Sequence, residues 1–187
     1  MIGARLKLVL LRHGKSDWSG GEPDVRRPLA KRGRDGASEI SSALRNDDAW
    51  APALVLTSRA VRARETVSEM GLSAPVVLVD GLYEAATDDG TGAAVVRALR
   101  EALDSVEVRE AATVLAVGHN PGWDEAAAEL SGACVEEIAL KTANAALLET
   151  IDEHTSWKDA LSIPESGQQS LWRLAEVRRL HRQREKA

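Results

Sequence analysis

What most constrains the fold is a repeated juxtaposition of short apolar runs with a charged or imidazole side chain at the end of each. Leu8-Val9-Leu10-Leu11, for instance, stops abruptly at Arg12-His13-Gly14. Short apolar runs bounded by polar residues read as strands buried on both faces. Leu6–Leu11 and Ala53–Leu56 fit that description, and Val76–Val79, Thr113–Val117 and Ala145–Ile151 read as a third, fourth and fifth strand. The segments between them carry helical periodicity. Ala37, Ile40 and Leu44 share one face of Arg34–Arg45, and Val67 and Met70 point inward from a helix over about Ala60 to Met70. Val95, Val96, Leu99 and Leu103 form a stripe along Thr91–Leu103. A further helix opens at Asn120-Pro121-Gly122 and continues to about Leu130, with Asn120 expected as N-cap and Pro121 in the first helical position. Strands alternating with helices predict an α/β fold: a three-layer sandwich, with a mainly parallel central sheet and helices on both faces.

The chain has 187 residues and a formal net charge of -5. That length suits one domain over 1–187, and no repeat or linker divides it. Gly20–Arg27 reads as a loop. From about residue 172 the chain becomes basic, through Arg173, Arg178, Arg179, Arg182 and Arg184. Leu171, Leu174, Val177 and His181 recur there at helical spacing, which predicts a solvated helix with a fraying end. The mildly acidic balance gives no general attraction to nucleic acid or membrane. Cys134 is the only cysteine, so an intrachain disulfide and a cysteine-built metal site are excluded. It is expected to be buried and inert. No signal peptide is expected, no apolar stretch reaches the roughly 18 residues of a membrane span, and a cytoplasmic location fits.

In open α/β sheets ligands gather at the carboxyl ends of the strands. There the sequence puts Arg12-His13-Gly14, then Ser58-Arg59 with Arg62 in the next helix, then Tyr83-Glu84, and finally Gly118-His119-Asn120. Arginine's planar fork matches phosphate oxygens, and cations stabilise the charge of a phosphoryl transition state. A neutral imidazole can act as a covalent nucleophile. The cluster suits phosphoryl transfer, and Gly14 would allow a tight turn beside the nucleophile.

LVLLRHGKSDW, SRAVRARET, LYEA and VAVGHNPGW, taken in order, resemble the histidine phosphatase superfamily, the phosphoglycerate-mutase-like group with the Arg-His-Gly signature. RRPLAKRG, from Arg26 to Gly33, is similar to a run in its SixA-like phosphohistidine phosphatase branch. The resemblance covers roughly the first 150 residues and implies roles. His13 would be the phosphorylated nucleophile, Arg12 and Arg62 the phosphate-binding arginines, and His119 the second histidine of the pocket. Glu84 sits where many phosphoesterase members carry the acid for the leaving group. Lys15 and Ser16 flank the nucleophile as candidate phosphate contacts. No cofactor or metal is implied.

Departures narrow the choice. Ser19 stands where mutase-type members have asparagine, and His119-Asn120 replaces the His-Asp of the acid-phosphatase branch. Short connections leave no room for a lid, so the pocket should be open and admit a protein-borne phosphate. The expected substrate is a phosphorylated protein, with phosphohistidine foremost, or else a small phosphate ester. A mutase, a metallo-hydrolase built on His13, His119, Asp17 and Glu84, and a non-catalytic phosphate-binding module are the competing classes. Neighbouring arginines should depress the His13 pKa, with a backbone carbonyl holding its other nitrogen. Trp18 and Trp123 are open between pocket mouth and core. Arg59, Arg64, His154 and His181 read as exposed.

Overall fold

The computed structural model describes residues 5–87, 91–105, 113–153, 155–163 and 168–180. Its strands are β1 (Lys7–Arg12), β2 (Leu54–Ser58), β3 (Val76–Val79), β4 (Thr113–Gly118), β5 (Ala145–Thr150) and β6 (Trp172–Arg178). They form one sheet in the order β3-β2-β4-β1-β5-β6. β1 to β4 run parallel, while β5 is antiparallel to β1 and β6 antiparallel to β5. The helices are α1 (Lys31–Arg45), α2 (Val61–Met70), α3 (Gly81–Thr87), α4 (Gly92–Asp104), α5 (Gly122–Ser131), α6 (Val135–Ile138) and α7 (Trp157–Ala160).

The apolar runs of β1, β2, β4 and β5 are buried on both faces because alternate side chains enter different cores, whereas β3, at the edge of the sheet, leaves Val76 and Leu78 exposed. Leu8 and Leu10 of β1, with Val114 and Ala116 of β4, pack beneath α3, α4 and α5. Val9 and Leu11, with Leu115 and Val117, face α1 and α2 instead. The helix stripes expected from the sequence, including Ile40, Leu44, Val95, Val96 and Leu99, are buried. Trp123 belongs to the first core, whereas Trp18 is exposed. No helix among the described residues is long and apolar enough to cross a membrane.

Three expectations are overturned. The stretch after Leu171 is strand β6, not a helix. A bulge at Leu147/Leu148 leaves Ala175 as the extra residue, so Trp172, Leu174 and Val177 reach the same core despite their uneven spacing. The bulge thereby mimics a helical interval. Its arginines are also partnered: Arg173 with Glu149, Arg178 with Asp47 and Glu176, and Arg179 with the Glu137 carbonyl. Asn120 does not cap α5, where Pro121 takes the N-cap position. Its amide instead donates to Asp124 Oδ2 at 2.7 Å and to the Leu140 carbonyl at 3.1 Å. Cys134 is exposed, because it lies outside the core between α5 and α6. His154, His181, Arg182 and Arg184 lie outside the described residues.

Candidate active site

Strand register assembles the site. Arg12 at the end of β1 pairs with Gly118 at the end of β4, and Thr57 of β2 pairs with Val117. Arg12, Ser58 and Gly118 thus end three adjacent strands at one level. The next residues along β1 and β4 are His13 and His119, whose ring centroids are 4.9 Å apart. Arg62 joins them from the first turn of α2, and Tyr83 from the first turn of α3 places its ring edge-on to His119 at 5.5 Å.

His13 is held at both nitrogens. Nδ1 lies 2.6 Å from the Gly14 carbonyl oxygen, and Nε2 accepts from Arg62 Nε at 3.0 Å. Nδ1 therefore carries the proton and Nε2 the lone pair. Burial, followed by the charges of Arg62, Arg12 and Arg27, brings the His13 pKa down to about 3 against the opposing pull of the Gly14 carbonyl. His119 is lowered to about 2, by burial first and then by His13 and Arg62. Its Nε2 lies 2.8 Å from Ser58 Oγ, while Nδ1 is buried with no partner.

Arg12 donates from Nη1 to the Leu140 carbonyl at 2.7 Å, and its Nε is buried without a partner. Asp124 holds that carbonyl's own residue, accepting from Leu140 N at 3.0 Å. Behind the nucleophile, Gly14 N donates to Thr66 Oγ1 at 3.0 Å, and Thr66 Oγ1 donates to the Arg62 carbonyl at 2.6 Å. One threonine links the nucleophile loop to the helix that carries Arg62.

Gly14 has no left-handed backbone angle, so a tight turn is not why glycine stands there. A Cβ at Gly14 would lie 2.5 Å from the Gly33 carbonyl oxygen, and one at Gly33 would overlap the Lys15 carbonyl. Two glycines let the start of α1 rest directly on the loop after β1. Lys15 contributes through its backbone, accepting from Ala30 N at 2.9 Å. Ser16 is buried and accepts from Arg27 Nη1 at 2.7 Å. Glu84 lies on the outside, ion-paired with Arg59, which in turn sits 5.4 Å from the Tyr83 ring centre.

Two residues that the sequence does not single out are central to the arrangement. Asp24 accepts from Arg62 Nη2 at 2.9 Å, from Tyr83 Oη at 2.8 Å and from Arg27 Nε at 2.9 Å. Burial would raise its pKa, but the hydrogen bonds of Arg27, Tyr83 and Arg62 hold it well below the usual carboxylate range. Arg27 is buried, and its guanidinium stacks 3.6 Å from the Trp18 ring centre. The run from Arg26 to Gly33 contains Arg27, but nothing in the local periodicity marks Asp24 three residues before it.

The sequence profile of the histidine phosphatase superfamily (branch 1) matches residues 8–111. An uncharacterized chloroplastic protein of Arabidopsis thaliana is 36% identical over 168 residues, covering 86% of this chain and 73% of that protein. An uncharacterized Mycobacterium tuberculosis protein is 39% identical over 113 residues, 59% of this chain and 63% of its own. Among solved structures, a Nakamurella multipartitia protein assigned as phosphohistidine phosphatase SixA is similar at a TM-score of 0.74. It is 26% identical and the match covers 96% of this chain and 98% of that one. The structure of the protein histidine phosphatase SixA complexed with tungstate shares the fold at a TM-score of 0.63, with 24% identity over 79% of this chain and 89% of that one. The chain belongs to the histidine phosphatase superfamily, in its SixA-like branch, and is a hydrolase of the phosphatase type.

Proposed function

We propose that this protein dephosphorylates protein-borne phosphohistidine through a covalent intermediate on His13. The observation that carries this reading is the state of the His13 ring: buried, neutral, with Nδ1 bound to the Gly14 carbonyl and the Nε2 lone pair turned towards Arg62. In the first step that lone pair attacks phosphorus and the leaving group departs. The proton on Nδ1 stays with the Gly14 carbonyl, which stabilises the positive charge that phosphorylation puts on the ring. In the second step water attacks the phosphoryl group, inorganic phosphate leaves, and His13 returns to its neutral state.

The unsatisfied donors around the ring support a phosphate ligand. Arg12 Nε and His119 Nδ1 are both buried without an acceptor. With the Ser58 hydroxyl donating to His119 Nε2, the ring proton sits on Nδ1 and is available to a phosphoryl oxygen. Arg62 Nε exchanges its bond to His13 for one to phosphate, which frees the attacking nitrogen. Preorganised donors of this kind stabilise the equatorial oxygens in the transition state without reorganisation. The proposed chemistry uses no metal and no cofactor, and we place its action in the cytoplasm.

A second reading, hydrolysis of small phosphate esters, would assign proton donation to Glu84. A third, phosphate binding without turnover, predicts affinity for phosphate and no product. The deciding experiment measures hydrolysis of a phosphohistidine peptide and of p-nitrophenyl phosphate in the presence of chelator, for the wild type and His13→Ala. Turnover of the peptide that vanishes in the variant supports the proposal. A variant that keeps its activity, or a wild type that turns over neither substrate, refutes it.

A further inference from the structure

The loop between β1 and α1 brings a carboxylate to the nucleophile. Asp24 engages Arg62 twice, through Oδ2 at 2.9 Å from Nη2 and through its backbone oxygen at 2.6 Å from Nη1. The same guanidinium donates from Nε to His13 Nε2 at 3.0 Å. A single guanidinium group therefore separates the Asp24 carboxylate from the attacking nitrogen. Any phosphoryl group that Arg62 takes over from His13 comes to lie next to a fixed negative charge.

A fixed anion at that distance discriminates between leaving groups. Departure of an alkoxide or phenoxide builds negative charge and needs a proton. Departure of a protonated imidazole does neither. Asp24 is held ionised by donors from Arg27, Tyr83 and Arg62, which fill its lone-pair sites, so it has no proton to give and acts through its charge. Resting on the phosphohistidine reading above, we infer that Asp24 is the specificity-determining residue of this site, and that the negative charge of its carboxylate selects P–N substrates by favouring a cationic imidazole as the leaving group. The step balances without proton transfer. The His13 Nε2 lone pair forms the new P–N bond, the substrate's P–N bond breaks, and its electron pair returns to the departing imidazole. That imidazole leaves neutral, with its remaining N–H intact. Glu84, exposed and paired with Arg59, takes no part in this selection.

The test compares kcat/KM for phosphoimidazole and phenyl phosphate in the wild type, Asp24→Asn and Asp24→Glu. Asp24 lies in an exposed turn with its side chain 47% accessible, so neither change disturbs a core. Asp24→Asn is expected to lower the phosphoimidazole-to-phenyl-phosphate ratio by about tenfold or more, as loss of a nearby unit charge implies. Asp24→Glu keeps the charge and is expected to keep the ratio near that of the wild type, even where altered support of Arg62 slows both substrates. An equal loss on both substrates in Asp24→Asn overturns the inference alone, since Asp24 would then only support Arg62. A wild type that cleaves phenyl phosphate but not phosphoimidazole overturns the phosphohistidine reading, and this inference with it.

Discussion

Acid should destabilise this protein more steeply than its carboxylates alone would dictate, because two histidines are buried neutral. His13 has a folded pKa of about 3 and His119 of about 2, against an ordinary value of 6.5. A histidine whose folded pKa is depressed binds its proton in the unfolded chain first. Stability is therefore intact above about pH 6.5, falls as pH drops below it, and stops falling only near the folded pKa. The slope within that window is about 1.4 kcal/mol per pH unit for each histidine. Between about pH 7 and about pH 4.5 His13 alone costs about 2.5 kcal/mol, and both together about 5 kcal/mol. That is a large part of a typical domain stability of roughly 5–15 kcal/mol. Urea unfolding of the wild type and of His13→Asn at the two pH values isolates the effect, because the carboxylates contribute alike to both proteins. The wild type should lose about 2.5 kcal/mol more than the variant. Parallel losses would mean that His13 accepts a proton in the folded state, and the burial and charge reasoning around it would fall.

Two further changes probe how the nucleophile loop is built. Gly14→Ala drives a methyl group against the Gly33 carbonyl oxygen, 2.5 Å from the new Cβ, where backbone must move. A loss of about 1–3 kcal/mol with a displaced His13 is expected, read by thermal unfolding and by turnover; an unchanged midpoint would refute the close approach. Thr66→Val removes the acceptor of Gly14 N and the donor to the Arg62 carbonyl, both in a buried setting. It should cost about 1–3 kcal/mol and lower kcat by loosening His13 against Arg62; a variant indistinguishable from wild type in both readouts would show that Thr66 does not couple them.

The layer plan and the strand exits are readable in the sequence because both are local. An apolar run ending in Arg12-His13 or Gly118-His119 states a buried strand and what stands at its end, and the intervening stripes, such as Val95, Val96 and Leu99, state where helices cover it. Spacing along one strand cannot show which strands lie side by side. Only the register of β1 on β4 sets the two imidazoles 4.9 Å apart, and only that burial makes both of them neutral. β6 was illegible for a related reason: its bulge is defined by pairing with β5, and without the partner strand its residues follow a helical interval. Asp24 is the clearest case. In sequence it is one acidic residue in a loop among arginines, and its meaning lies in contacts to Arg27, Arg62 and Tyr83, the last 59 positions away. The sequence by itself determined an α/β sheet with arginine and histidine at its strand ends. The tertiary structure alone decided which carboxylate faces them, because a charge acts through space at a few ångströms, whatever its distance along the chain.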